Sequence, residues 1–161
     1  MKQETSIEDI FHDFMSLRTF KVGIKVKKKL LKELLEACQD PWKVVGITPN
    51  ALDLLKKNGF NLKNKNTNKN LSIQRAHLED RDIWYSELLE TDWKDSQSWH
   101  QFVRSKDNTV LALSSENKNI KSIVYIKFEN FENLFRSTRI SWQHGPKEKE
   151  FLKSLDRLNH C

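Results

Sequence analysis

Ile7, Ile10, Phe11, Phe14 and Leu17 recur at the three-and-four spacing of one helical face and predict a first helix. Thr5 or Ser6 suits its N-cap, and Glu8 and Asp9 fall in its first turn, where acids oppose the helix dipole favourably. His12 and Asp13 lie off the apolar face and read as surface residues. Phe20 to Val26 then alternates apolar and basic positions, which predicts a short strand or an extended basic arm. Leu30, Leu31, Leu34, Leu35 and Cys38 form the inward side of a second helix from about Lys27 to Gln39, stopped by Pro41. Val44 to Ile47 reads as a strand or buried connector. Thr48-Pro49 combines a capping hydroxyl with proline at the first helical position, and Gly59 is placed as the stop. Leu52, Leu54 and Leu55 are the stripe of that third helix.

Asn61 to Asn70 breaks the pattern as a Lys/Asn-rich loop with no apolar anchor after Leu62. Leu71 to Leu78 predicts a short strand. Asp82 to Leu89 is helical, with Ile83, Trp84 and Leu88 inward. Asp95 to Val103 is another helix, capped by Asp92 or Asp95, with Trp99 and Phe102 inward. These tryptophans read as core anchors in preference to base-stacking platforms. Val110 to Leu113 is a buried strand that leads into a capped turn and a short helix. Ser122 to Phe128 alternates as a strand, and Phe131, Leu134 and Phe135 mark a helical turn. Arg136 to Trp142 is a further strand, bearing Arg136 and Arg139 and broken by Gly145-Pro146. Phe151, Leu152, Leu155 and Leu158 then stripe a last helix from about Lys147 to Leu158. The class is α+β, without internal repeats. One domain over 1–161 is expected: a mainly helical basic region 1–60, a middle segment 61–121, and strands with a closing helix over 122–161.

Composition narrows this. An apolar fraction of 37%, with five Trp and nine Phe in 161 residues, belongs to a folded chain with a core. No apolar run approaches the eighteen or so residues that span a bilayer. Glu4, Glu8 and Asp9 stand where a signal peptide would have its apolar core, so the expected location is cytoplasmic. Cys38 and Cys161 make neither a disulfide framework nor a zinc set, and Cys38 reads as a core thiol. The net charge of +6 is unevenly placed. Lys21, Lys25, Lys27, Lys28, Lys29 and Lys32 form one cluster. Lys56, Lys57, Lys63, Lys65 and Lys69 form another, with no acid among them. Such stripes point to a polyanion, nucleic acid before an anionic membrane, with phosphate contacts that give affinity but no base specificity. A merely solvated lysine surface is the alternative.

The candidate chemistry lies in two segments. Leu71-Ser-Ile-Gln-Arg-Ala-His77-Leu places a histidine at a strand end between Arg75 and Arg81. Asp107-Asn108 precedes the apolar run, and Glu116-Asn117-Lys118 follows it, with Asn108 and Asn117 nine positions apart. Together, over about residues 71–119, these segments resemble the HNH, or His-Me finger, nuclease motif. The resemblance implies a ββα-metal core with a helical insertion between His77 and Asn108, N-terminal helices, and a small C-terminal antiparallel sheet plus helix. It implies His77 as general base, or itself a metal ligand, with Asn108 orienting it and Asn117 binding the metal. The activity implied is metal-dependent DNA endonuclease of restriction or homing type, RNA not excluded, in a homodimer where both strands are cut.

A histidine titrating near neutrality can take a proton from water. A divalent ion, Mg2+ or Mn2+, held by asparagine and a carboxylate would stabilise the phosphoryl charge. Glu79, Asp80 and Glu116 are the carboxylate candidates, and Arg75 or Arg81 could clamp the phosphate. His100, beside Trp99, is a second candidate base. Asp107 with Glu116-Asn117-Lys118 also resembles the PD-(D/E)xK nuclease signature, in which Asp107 and Glu116 would bind metal and Lys118 aid the water. The non-enzymatic alternative is a small nucleic-acid-binding regulator that uses the basic helices.

Overall fold

Six α-helices and six strands are formed among the residues that the computed structural model describes, 5–37, 43–138 and 141–158. In chain order they are α1 (Ile7–Thr19), α2 (Ile24–Ala37), β1 (Lys43–Ile47), α3 (Pro49–Lys57), β2 (Ile73–His77), α4 (Arg81–Glu90) and α5 (Ser96–Lys106). There follow β3 (Asn108–Leu113), a 3-10 helix Asn117–Ser122, β4 (Ile126–Lys127), β5 (Ser137–Thr138), β6 (Ser141–Trp142) and α6 (Pro146–Leu158). The fold is mixed α+β. The chain divides into two compact units: Met1–Trp42 with Glu79–Asp107, and Lys43–Leu78 with Asn108–Cys161. This partition cuts across the consecutive segments 1–60, 61–121 and 122–161, because the stretch between β2 and β3 packs with the N-terminal helices.

The helical unit consists of α1, α2, α4 and α5. Ser6 and Asp9 cap α1 reciprocally: the Asp9 N–H donates to the Ser6 hydroxyl (3.1 Å) and the Ser6 N–H to the Asp9 carboxylate (3.3 Å). Phe14, Leu31, Leu35, Trp84, Leu88, Trp99 and Val103 make its buried core. Ile83, expected inward, is 66% exposed, because Trp84, Tyr85, Leu88 and Leu89 set the buried phase of α4. The segment expected as a strand or arm over Phe20 to Val26 has no strand partner. Its second half instead winds into α2, starting with Val26 and Lys27 N–H groups that donate to the Gly23 carbonyl (3.0 and 3.1 Å). A helix satisfies its backbone alone, whereas a strand needs a neighbour. Cys38, Pro41, Arg139 and Cys161 lie outside the described residues.

The second unit is built on a four-stranded sheet of order β2-β3-β1-β4, with β3 parallel to β1 and the outer pairs antiparallel. One face packs Val44, Ile47 and Leu111 against Ala51, Leu52 and Leu55 of α3, Leu152 of α6, Phe128 and Phe135. The other gathers Ala76, Val110 and Ala112 under Ile120 of the 3-10 helix. Gly46 is required on β1: a Cβ there would lie 2.6 Å from the Ile126 carbonyl oxygen. The strand expected over Ser122 to Phe128 shrinks to Ile126–Lys127, which pair only with Gly46 and Ile47, and Val124 is 83% exposed. Phe131 to Phe135 is a turn with positive φ at Phe135, where a helical turn was expected. Arg136 to Trp142 folds back on itself as the β5–β6 hairpin instead of forming one strand.

Candidate functional site

His77 is the last residue of β2 and pairs with Thr109, one residue into β3. The Leu78 N–H donates to the Asn108 carbonyl (3.0 Å), so the hairpin brings His77 and Asn108 to the same end. Directly opposed residues of an antiparallel pair share a face. Ile73, Arg75 and His77, opposite Leu113, Leu111 and Thr109, therefore belong to the α3/α6 side of the sheet. The helix that begins at Asn117 lies against the other side, through Ile120 on Ala76, Val110 and Ala112. Along the strand, Leu113 lies roughly 14 Å beyond Thr109 at about 3.4 Å per residue. His77 and Asn108 thus lie at the same end of the hairpin but at alternate positions, so their side chains leave opposite faces, and Asn117 and Glu116 follow the far end of β3.

Glu116 is buried, and both its oxygens are engaged. Oε2 accepts from the Thr48 hydroxyl (2.6 Å) and the Leu113 N–H (2.9 Å), and Oε1 accepts from the Asn50 amide (2.8 Å). Burial alone would push this carboxyl up. The donors from Thr48, Leu113 and Asn50 outweigh burial and hold it below its ordinary value. Thr48 also caps α3, accepting from the Ala51 N–H (3.3 Å), so Glu116 ties the turn after β3 to the start of that helix.

The remaining candidates, Lys118 apart, sit in the helical unit. Asp80 caps α4 by accepting from the Asp82 N–H (2.9 Å), and Glu79 pairs with Lys106 (3.1 Å). Arg81 opens α4. Tyr85 beside it is pushed up to about 12 by burial, moderated by the Arg81 guanidinium that is hydrogen-bonded to it. Asp107 is buried at the C-cap of α5, whereas Lys118 is exposed on the sheet unit. His100 lies on α5, half-buried. Among the described residues, no group of three or more His, Cys, Asp or Glu could hold a metal ion. Within the sheet unit, His77 and Asn117 stand at opposite ends of β3.

Charge separates the two units. The sheet unit carries sixteen Lys and Arg against seven Asp and Glu, a net +9, and the helical unit twelve against fifteen, a net −3. Comparison with known protein families, curated proteins and solved structures finds no match to this chain. The site must therefore be read from its own chemistry.

Between Asp53 and Glu79 there is no acid, and this interval holds Lys56, Lys57, Lys63, Lys65, Lys69 and Arg75. Lys57 pairs with Asp53 (2.6 Å), and Lys56 is in the last turn of α3. The expected loop Asn61 to Asn70 is a small hairpin. Lys63 bridges to Asn70, the Asn64 N–H donates to the Lys69 carbonyl (2.8 Å), and the Asn64 side chain accepts from the Asn66 and Thr67 N–H groups. Lys63, Lys65 and Lys69 are exposed on it. Sequence reading missed Lys149 of α6, whose ammonium donates to the Asn61 side chain (2.8 Å) at the base of this hairpin. It also missed His144, whose Nε2 bonds the Phe60 carbonyl (2.8 Å) and whose imidazole burial pushes down. Both come from the far C-terminal segment, and no local pattern signals them.

On α2 the lysines divide. Lys27 donates to the Arg18 carbonyl, Lys28 pairs with Asp82 (2.8 Å), and Lys32 lies 3.8 Å from Glu36. Lys25 and Lys29 are exposed.

Proposed function

We propose that this chain binds nucleic acid through the sheet unit, with the Lys63–Lys69 hairpin as the contact. The observation that carries this is the segregation of charge, +9 on the sheet unit against −3 on the helical one. A hairpin held by its own backbone and by Asn64 presents Lys63, Lys65 and Lys69 at little ordering cost. Lysines contribute as phosphate contacts, so binding is electrostatic, salt-dependent and largely indifferent to base sequence. Fluorescence anisotropy with a duplex DNA and a single-stranded RNA of equal length tests the reading and separates the two polymers. Replacing Lys63, Lys65 and Lys69 together by Gln is expected to weaken binding by roughly tenfold or more and to lower the log–log salt slope by about 2 to 3. An unchanged slope would sink the proposal.

A second reading, metal-dependent endonuclease action at His77 by a His-Me finger, is supported by one observation. The order hairpin, then helix, is kept, with His77 ending β2 and Asn108 hydrogen-bonded across to Leu78. Supercoiled plasmid incubated with Mg2+ or Mn2+ would then be cut by the native chain and not by His77→Ala. Cleavage that survives the substitution, or no cleavage with either ion, removes this reading and the homodimer that goes with it.

A further inference from the structure

Phe20, Val22, Ile24, Val26 and Leu30 are all exposed, Phe20 and Val26 at 48% each, within eleven consecutive residues at the α1–α2 corner. So dense an apolar surface on a folded unit marks an interaction site more often than chance exposure. Val26 and Leu30 are one helical turn apart and share a face. At 100° per residue, Lys27 flanks that strip on one side, and Lys25 and Lys29 flank it on the other. No acid occurs between Asp13 and Glu33, and the exposed Glu33, one turn beyond Leu30 on the same face, ends the basic strip. On the Ile24–Lys27 side of α2 a separate cleft of about 440 Å³, within the size range of ligand pockets, is lined in part by Met15, Arg18, Ile24, Lys27, Leu89 and Glu90. Its cations are held in place: Arg18 Nε donates to the Leu89 carbonyl (3.1 Å), and the Lys27 ammonium donates to the Arg18 carbonyl (2.5 Å).

From these features we infer that the α1–α2 corner docks an acidic amphipathic helix of a partner protein. Its apolar face lies along Val26 and Leu30, and its carboxylates meet Lys25 and Lys29 on one side and Lys27 on the other. The apolar strip distinguishes this surface from the hairpin of the sheet unit, since a phosphate backbone gains nothing from valine and leucine. The flanking lysines set the sign of the partner. A second copy would bring lysine against lysine at the same strip, which charge disfavours.

The test is selection from a random peptide display library against the full chain. Enriched peptides should combine Asp and Glu with apolar residues at helical spacing. The double substitution Val26→Ser, Leu30→Ser should weaken their binding at least tenfold, as should Lys25→Glu, Lys29→Glu, with the helical circular dichroism of both variants unchanged. Binding of duplex DNA by the Val26/Leu30 variant should stay as it was, which separates this surface from the hairpin proposal. Three results overturn the inference: no enrichment; enriched peptides without acidic bias; or enriched peptides indifferent to both variants. So does retention on vesicles containing phosphatidylglycerol, or a dimer in sedimentation velocity, if the Val26/Leu30 variant abolishes it. Those outcomes assign the face to a lipid surface or to a second copy.

Discussion

Trp99→Ala is expected to remove about 3 to 5 kcal/mol from the helical unit, the usual cost of truncating a fully buried aromatic side chain to alanine. Trp99 has no exposed surface. Its ring lies 5.3 Å from Phe14 and 5.8 Å from Phe11, centroid to centroid, so the α1–α5 interface loses its filler. Phe11 and Phe14 are both fixed on α1 and can collapse into the space only in part. The indole Nε1 is buried without a hydrogen-bond partner among the described residues, so Trp99 acts through its volume alone. Trp99→Phe, which keeps most of that volume and loses no hydrogen bond, is therefore expected to cost clearly less than Trp99→Ala. Urea unfolding followed by far-ultraviolet circular dichroism measures both variants. With two compact units, the transition should be fitted without assuming a single step. A Trp99→Ala loss below about 1 kcal/mol would contradict the packing described.

Glu116→Ala is expected to cost about 3 kcal/mol, the scale at which removing one partner of a buried charged network destabilises a fold. The Thr48 hydroxyl, the Asn50 amide and the Leu113 N–H would all lose their acceptor, and the turn after β3 would lose its tie to α3. Glu116→Gln keeps the shape but turns an NH2 group toward one of these donors, so part of the loss remains. The folded carboxyl is held below its ordinary value of 4.5, which sets the sign of the pH dependence. Stability from this group is present above that value and is lost as pH falls through the lower folded-state value, where protonation removes an acceptor. Stability measured across the acid range should therefore fall less steeply in Glu116→Gln than in the native chain. Equal slopes would mean that Glu116 does not brace the turn.

Helix ends were legible wherever the signal is local. Ser6, Thr48-Pro49 and Asp95 cap the helices that follow them, and Gly59 takes the positive φ that ends α3, because capping involves residues within one turn of each other. The buried strand before Glu116 was legible for the same reason, as a short apolar run between turn residues, and the strand ending at His77 as the short segment between the Lys/Asn-rich loop and the next helix. Ile83 was misplaced because isolated apolar positions on a short helix fit more than one phase. The basic-apolar alternation over the seven residues Phe20 to Val26 is too short to tell a strand from the start of a helix.

What the sequence alone determined is the set of local choices: where helices begin, which segments can be strands, and how lysines and acids divide along the chain. The tertiary structure decided which strands pair, that residues 79–107 join the N-terminal helices, and on which face of the hairpin each polar side chain emerges. It also decided the fate of Glu116, whose partners Thr48 and Asn50 stand 68 and 66 residues away. The nine-position spacing of Asn108 and Asn117 is a local quantity, and whether Asn117 meets His77 depends on sheet register. Alternation assigns residues to two faces, but only the partner strand and the packed helix say which face is which, and both come from distant parts of the chain.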